Sequence, residues 1–85
     1  MTPDQIKQLL VEELGNLAPE TDAAGIDPDA DLREALDLDS MDFLNLVTAL
    51  HQRLGVEVPE ADYGELRTLN GAIAYLQARL PAAPR

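Results

Sequence analysis

Apolar residues recur at helical spacing in three stretches of the chain. Ile6, Leu9, Leu10, Leu14 and Leu17 share one helix face. Phe43, Leu46, Val47, Leu50 and Leu54 make a second face, and Leu69, Ala72, Ile73, Leu76 and Leu80 a third. The flanks carry start and stop signals. Thr2 is placed to cap, Pro3 suits a first helical position, and Gln5 completes a capping box. Gly15 weakens the far end, and Ala18-Pro19 closes it, because the residue before a proline avoids helical angles. The first helix is therefore predicted over 3–17. The second is predicted over 40–54, with Gly55 as a left-handed stop just beyond it. Thr68 caps the last, over 68–80, where Gly71 costs a little stability.

The segments between are short of such patterning. Residues 20–39 form a long connection broken by Gly25, Pro28 and many acids. A connection of this kind is functional or mobile in most compact domains. Ile26 and Leu32 are expected to tuck into the core and hold it down. Asp31-Leu32-Arg33-Glu34 has capping-box spacing, which predicts a helical turn around Leu32 to Leu36. Val56-Glu57-Val58-Pro59 alternates and reads as extended, yet a lone strand has nothing to pair with. A short helix is expected over 60–64, with Tyr63 packing inward, and a frayed tail over 81–85. Three amphipathic helices plus one short helix must bury their apolar sides together. This predicts an all-α four-helix bundle forming one domain over residues 1–85.

Charge narrows the partners. Sixteen acidic residues against six basic ones give a net charge of −10. Nucleic acid lacks a basic footprint to bind, whereas basic protein surfaces would be steered toward such a chain. The plain alternative is that the acidity only keeps a small protein soluble. With no cysteine, disulfides and thiolate metal sites are excluded, so any thiol chemistry must come from an attached group. No apolar run spans a membrane and no basic-then-apolar leader opens the chain. A cytoplasmic monomer is the expected state.

Enzymatic arrangements fail for want of parts. His51 is the one histidine, lies off the apolar face of its helix and has no evident partner. Asp27, Asp29 and Asp31 alternate as in a calcium loop, but such a loop needs glycine and glutamate where Leu32 and Leu38 stand. Ser40 is more informative. It falls with Asp39 where the second long helix begins, so either side chain is placed to cap free backbone N–H groups. A helix start also favours an anion, so a serine there is either a cap or a place to hang a phosphate.

Asp39-Ser40-Met41 opening an amphipathic helix, the helix order and the later Val56-Glu57-Val58-Pro59 segment resemble the acyl carrier protein family over roughly Ile6 to Leu80. Members carry Asp-Ser-Leu or Asp-Ser-Met at this point and fold as four-helix bundles. The resemblance implies that Ser40 bears 4′-phosphopantetheine, whose thiol holds acyl groups as thioesters. It implies that a phosphopantetheinyl transferase uses coenzyme A and magnesium, Ser40 attacking the phosphorus nearest the pantetheine. Ser40 is then a substrate residue, and Asp39 meets the transferase or its metal. Met41, Leu44 and Thr48, one, four and eight residues after the serine, match positions that meet acyl-loading, modifying and transferring enzymes. Asp37, Asp42 and Asn45 are expected to share that surface. One departure is that a glycine often stands where this chain has Asp37.

Carriers of general fatty-acid synthesis have several acids along this helix. Here Phe43 through Val56 contains none, Asn45, His51 and Gln52 stand where glutamates are common, and Arg53 adds a positive charge. The expectation is a free-standing carrier for a specialised pathway, its cargo fatty acyl, polyketide or aminoacyl. The competing reading is an unmodified acidic interaction module that binds a basic protein directly.

Overall fold

Reciprocal capping opens the first helix of the computed structural model, which describes residues 2–20 and 22–80. Thr2 Oγ1 accepts from the Gln5 amide at 3.2 Å, and Gln5 Oε1 accepts from the Thr2 amide at 2.9 Å. Helix α1 then runs Pro3–Leu17, straight through Gly15, and ends at Ala18 before Pro19. Ile6, Leu9, Leu10 and Leu14 are buried, while Leu17 is half-buried at the edge of the core. The α1 helix packs against both other long helices, α3 (Ser40–Leu54) and α4 (Leu69–Arg79), so its apolar face is the floor of the bundle. Phe43, Leu46, Val47 and Leu50 of α3 and Leu69, Ala72 and Leu76 of α4 close over it. Gly55 adopts φ 70°, the left-handed stop expected after α3.

The long connection is pinned rather than loose. A short 3₁₀ turn, Ala23–Gly25, has no counterpart in the apolar pattern and buries one alanine side chain. Helix α2, Leu32–Ala35, follows. Asp31 Oδ1 caps it by accepting from the Arg33 amide at 2.9 Å and the Glu34 amide at 3.3 Å. The expected box is one-sided, because this turn shows no return bond from Glu34. Leu32 is fully buried, and Ile26 is half-buried against the core. Backbone and side-chain bonds stitch this segment to the start of α4. The Leu32 amide donates to the Arg67 carbonyl at 2.7 Å and the Asn70 amide to the Pro28 carbonyl at 3.0 Å. Asn70 Nδ2 donates to Asp29 Oδ1 at 2.8 Å, and Arg67 Nη2 to Asp31 Oδ2 at 3.1 Å. The Glu34 amide first, and then the Arg67 guanidinium, hold the Asp31 carboxyl below its ordinary range. With Asp27 Oδ1 bonded to the Asp29 amide at 2.9 Å, all three alternating aspartates have structural partners. No group of His, Cys, Asp or Glu among the described residues is arranged to hold a metal ion.

Two elements differ from their sequence reading. The short helix expected over 60–64 is a 3₁₀ helix, Glu60–Leu66. It is longer because Leu66, one turn beyond Tyr63, is fully buried and draws the coil inward. Tyr63 is half-buried, its ring edge-on to Phe43 with centroids 5.6 Å apart. The last helix begins at Leu69 with Thr68 outside it as the cap, and Leu80 ends it. The segment 81–85, expected to fray, lies outside the described residues. Val56 and Val58 are buried on an extended stretch, as their alternation suggests. Among the described residues no helix is long and apolar enough to cross a membrane.

Gly71 is more than a weak helix former. A Cβ there would stand 2.8 Å from the Glu65 carbonyl oxygen and 3.0 Å from Thr68 Oγ1. The Thr68 hydroxyl already accepts from the Gly71 amide at 2.9 Å, so the cap and the close approach occupy the same space. Helix propensity alone makes Gly71→Ala stabilising by about 1 kcal/mol. The close approach reverses the sign: overpacking against fixed backbone costs about 1–3 kcal/mol. Gly71→Ala is expected to lower the urea midpoint without changing the slope. A raised midpoint would show that the Glu65 carbonyl yields freely.

Candidate functional site

The approach to α3 is a turn that the sequence supports in an unusual way. Asp37 takes φ 54°, the left-handed region that favours glycine. The Leu38 amide reaches back across it to the Arg33 carbonyl at 2.9 Å, the wide bond of a Schellman ending to α2. Leu36 and Leu38, on either side, are buried and anchor the turn to the core. An aspartate therefore holds the left-handed turn. Where the family often has glycine, this chain thus takes a conformation that glycine favours; aspartate is among the few other residues that tolerate it.

Asp39 closes the first turn of α3. Its Oδ1 accepts from the Asp42 amide at 2.8 Å, and Asp42 Oδ2 accepts from the Asp39 amide at 3.3 Å. This is a full capping box, with aspartate in the place where glutamate or glutamine is more common. Of the two cap candidates, Asp39 fills the position and Ser40 is the first residue inside the helix. Ser40 is exposed, and its hydroxyl is not used as a cap. Its Oγ accepts a long hydrogen bond, 3.4 Å, from Arg33 Nη2.

A shallow groove of about 190 Å³ opens beside Ser40. Phe43, Leu44 and Tyr63 give it an apolar wall, and Arg33 and Glu60 are its charged residues. That volume is below the ~300–1,000 Å³ of sites that enclose a small molecule, so the groove can lodge only part of a ligand. Larger open grooves lie elsewhere, one of them along the far half of α3 between Thr48, His51 and Pro59.

The remaining singled-out residues fall on the outer face of α3. Met41 is 65% and Leu44 42% exposed, which makes them the exposed large apolar side chains among the described residues. Thr48 follows them, and its hydroxyl donates to the Leu44 carbonyl at 3.0 Å. With that hydroxyl turned onto the backbone, the stripe Met41, Leu44, Thr48 is less polar than its composition suggests. Asn45, His51 and Gln52 are exposed too. Arg53 is not a free positive charge: it pairs with Glu13 at 3.2 Å and Glu12 at 3.5 Å on α1. Asp37 is exposed in its turn, and Asp42 is half-buried with one oxygen in the capping box.

Sequence reasoning missed Arg33, Glu60 and Tyr63 as neighbours of Ser40. Glu60 and Tyr63 come from a distant segment, with no local signal to place them. Arg33 had one signal, as the single basic residue between Lys7 and Arg53 in an acid-rich run.

Comparison with known proteins bears on this geometry. The family model described as "Phosphopantetheine attachment site" matches residues 4–76, a span that contains the whole arrangement. The chain is 32% identical over 76 residues to an acyl carrier protein of Chlamydia caviae, covering 89% of this chain and 92% of that one. It is 30% identical over 77 residues to one from Helicobacter hepaticus, covering 91% and 95%. It is 29% identical over 76 residues to one from Solidesulfovibrio magneticus, covering 89% and 91%. The chain belongs to the acyl carrier protein family, carriers rather than enzymes, whose attachment domain implies a covalently bound 4′-phosphopantetheine.

Proposed function

We propose that this chain is a carrier domain whose arm hangs from Ser40 and which serves a specialised biosynthetic pathway. The observation that carries the site is the spare hydroxyl. Asp39 and Asp42 satisfy the helix start between them, so Ser40 is exposed and its hydroxyl is not needed as a cap. The site also suits an attached phosphodiester. The start of a fifteen-residue helix favours an anion, and a guanidinium already faces Ser40 Oγ. When bound, the group supplies a thiol on a long arm that holds acyl groups as thioesters. The chain's residues do the rest. Asp39 fixes the helix start and offers its carboxylate to the transferase, and tethering raises the effective concentration of cargo at each partner's site.

The outer stripe of α3 supports a docking role. Met41 and Leu44 give exposed apolar anchors beside the attachment point, Thr48 extends them, and Asn45 flanks them. Asp37, Asp39 and Asp42 concentrate negative charge at the helix start. Beyond Asp42 the helix has no acid, and Arg53 is neutralised by Glu12 and Glu13. Steering by charge therefore acts on the start of the helix and fades along it. This favours a dedicated set of partner enzymes over those of general fatty-acid synthesis.

Incubation with coenzyme A, magnesium and a phosphopantetheinyl transferase is expected to add one phosphopantetheine to the native chain and none to Ser40→Ala. Because Ser40 is not the cap, Ser40→Ala should change stability by less than about 0.5 kcal/mol, as for other surface substitutions. Modification of Ser40→Ala would overturn the site. A native chain that gains no mass would favour an unmodified acidic interaction module instead. The triple change Asn45→Glu, His51→Glu and Gln52→Glu should raise the rate with a general malonyl-loading enzyme at low salt. That gain should shrink as salt rises. Efficient loading of the unaltered protein with no gain from the triple change would remove the case for a specialised pathway.

A further inference from the structure

Cations are scarce in this protein and most are already held. Among the described residues, Arg53 pairs with Glu12 and Glu13, Arg67 with Asp31, and Arg79 with Asp62. Arg33 takes part in none of these ion pairs, although Asp31 and Glu34 are its near neighbours in sequence and Glu60 lines the same groove. Its guanidinium instead meets a neutral hydroxyl, Ser40 Oγ, at 3.4 Å. As a hydrogen bond this is at the weak end of the range and contributes little by itself.

We propose that Arg33 is a positioning residue for the arm: its guanidinium grips the phosphodiester formed on Ser40. This rests on the attachment reading above. The chemistry of the pair carries it. Transfer of phosphopantetheine from coenzyme A forms the Oγ–phosphorus bond as the pyrophosphate P–O bond breaks; the hydroxyl gives up its proton and adenosine 3′,5′-bisphosphate leaves. Oγ is then the bridging oxygen of a phosphodiester, whose two unesterified oxygens share one negative charge. A guanidinium beside Oγ then faces an anion and presents a planar fork of donors to it. The neutral contact becomes a charge-assisted one with no large movement of either backbone.

The backbone of Arg33 is fixed for that purpose at both ends. Its amide donates to Asp31 Oδ1 at 2.9 Å, and its carbonyl accepts from the Leu38 amide at 2.9 Å. The second bond spans the left-handed Asp37 turn, so the segment that presents the arginine is the segment that delivers Ser40. A phosphodiester also adds a negative charge to a chain already at −10. Without a cation beside it, the arm would add to the repulsion around Asp37, Asp39 and Asp42. With Arg33, it is compensated where it is attached and leaves the protein in one preferred direction, past the groove lined by Phe43, Leu44 and Tyr63.

The test compares the protein before and after loading, with intact mass confirming one arm per chain. A chain that takes no arm overturns the attachment reading itself, and the mass shows this before any other readout. In the loaded native protein, the Arg33 Nε–H signal in ¹⁵N-edited NMR should move, while those of Arg53 and Arg67 stay in place. Loading should raise the melting temperature of the native protein. In Arg33→Gln, loaded to completion with excess transferase, the rise should vanish or reverse, and the ³¹P signal of the phosphodiester should shift from its native position. Arg33→Lys, a point charge, should keep part of the rise. Arg53→Gln should lower both melting temperatures and leave their difference unchanged. An Arg33 signal indifferent to loading, with the same melting difference in Arg33→Gln as in the native protein, would overturn the proposal.

Discussion

Asp39 closes the first turn of α3, so Ser40 does not have to, and the proposed attachment depends on that division. A helix start leaves backbone donors that need partners, and Asp39 and Asp42 meet that need reciprocally. Had the serine been the cap, its hydroxyl would be committed to the fold, and modifying it would unpick the helix. The capping box separates the two tasks by one residue. The aspartate has a structural role, and the adjacent serine is free to be modified without cost to the fold.

That cap depends on the chain arriving at the right angle. Buried Leu36 and Leu38 hold the turn to the core, Asp37 supplies the left-handed residue between them, and the Leu38 amide locks the turn to Arg33. Upstream, Asp29 and Asp31 bind the connection to Asn70 and Arg67 at the start of α4. Acids that read from composition as a solvated run are thus distributed over specific tasks. Asp31 caps and pairs, Asp29 bridges, Asp39 and Asp42 close a helix. Asp37, Asp39 and Asp42 together still concentrate negative charge at the start of α3, beside the exposed stripe of Met41 and Leu44.

The helices over 3–17 and 40–54 were legible to the residue, because each joins a clear apolar period to a capping signal at one end and a proline or glycine at the other. The outer stripe of α3 was legible for the same reason, since one period fixes both faces. Other features depend on contacts that no local pattern encodes. The 3₁₀ turn over 23–25 buries a single alanine, too little to make a period. The helix at 60–66 runs past its expected end because Leu66 finds the core. Gly71 looked like a small liability and is required by the Glu65 carbonyl, which belongs to a neighbouring element. The sequence left Asp39 and Ser40 as equal candidates for the cap, and the bond to Asp42 decided between them. Arg33 meets Ser40 across a turn rather than within a helix, so helical spacing could not pair them.

The proposed function requires one covalent arm on Ser40, which can be read on the protein as its own cells make it. Tandem mass spectrometry of the purified chain, with a fragmentation mild enough to keep phosphodiesters, reads both the presence of the group and its position. One phosphopantetheine is expected on the fragment that contains Ser40 and none elsewhere. A chain that is unmodified in those cells, or an arm found on another hydroxyl such as that of Thr48, would contradict it.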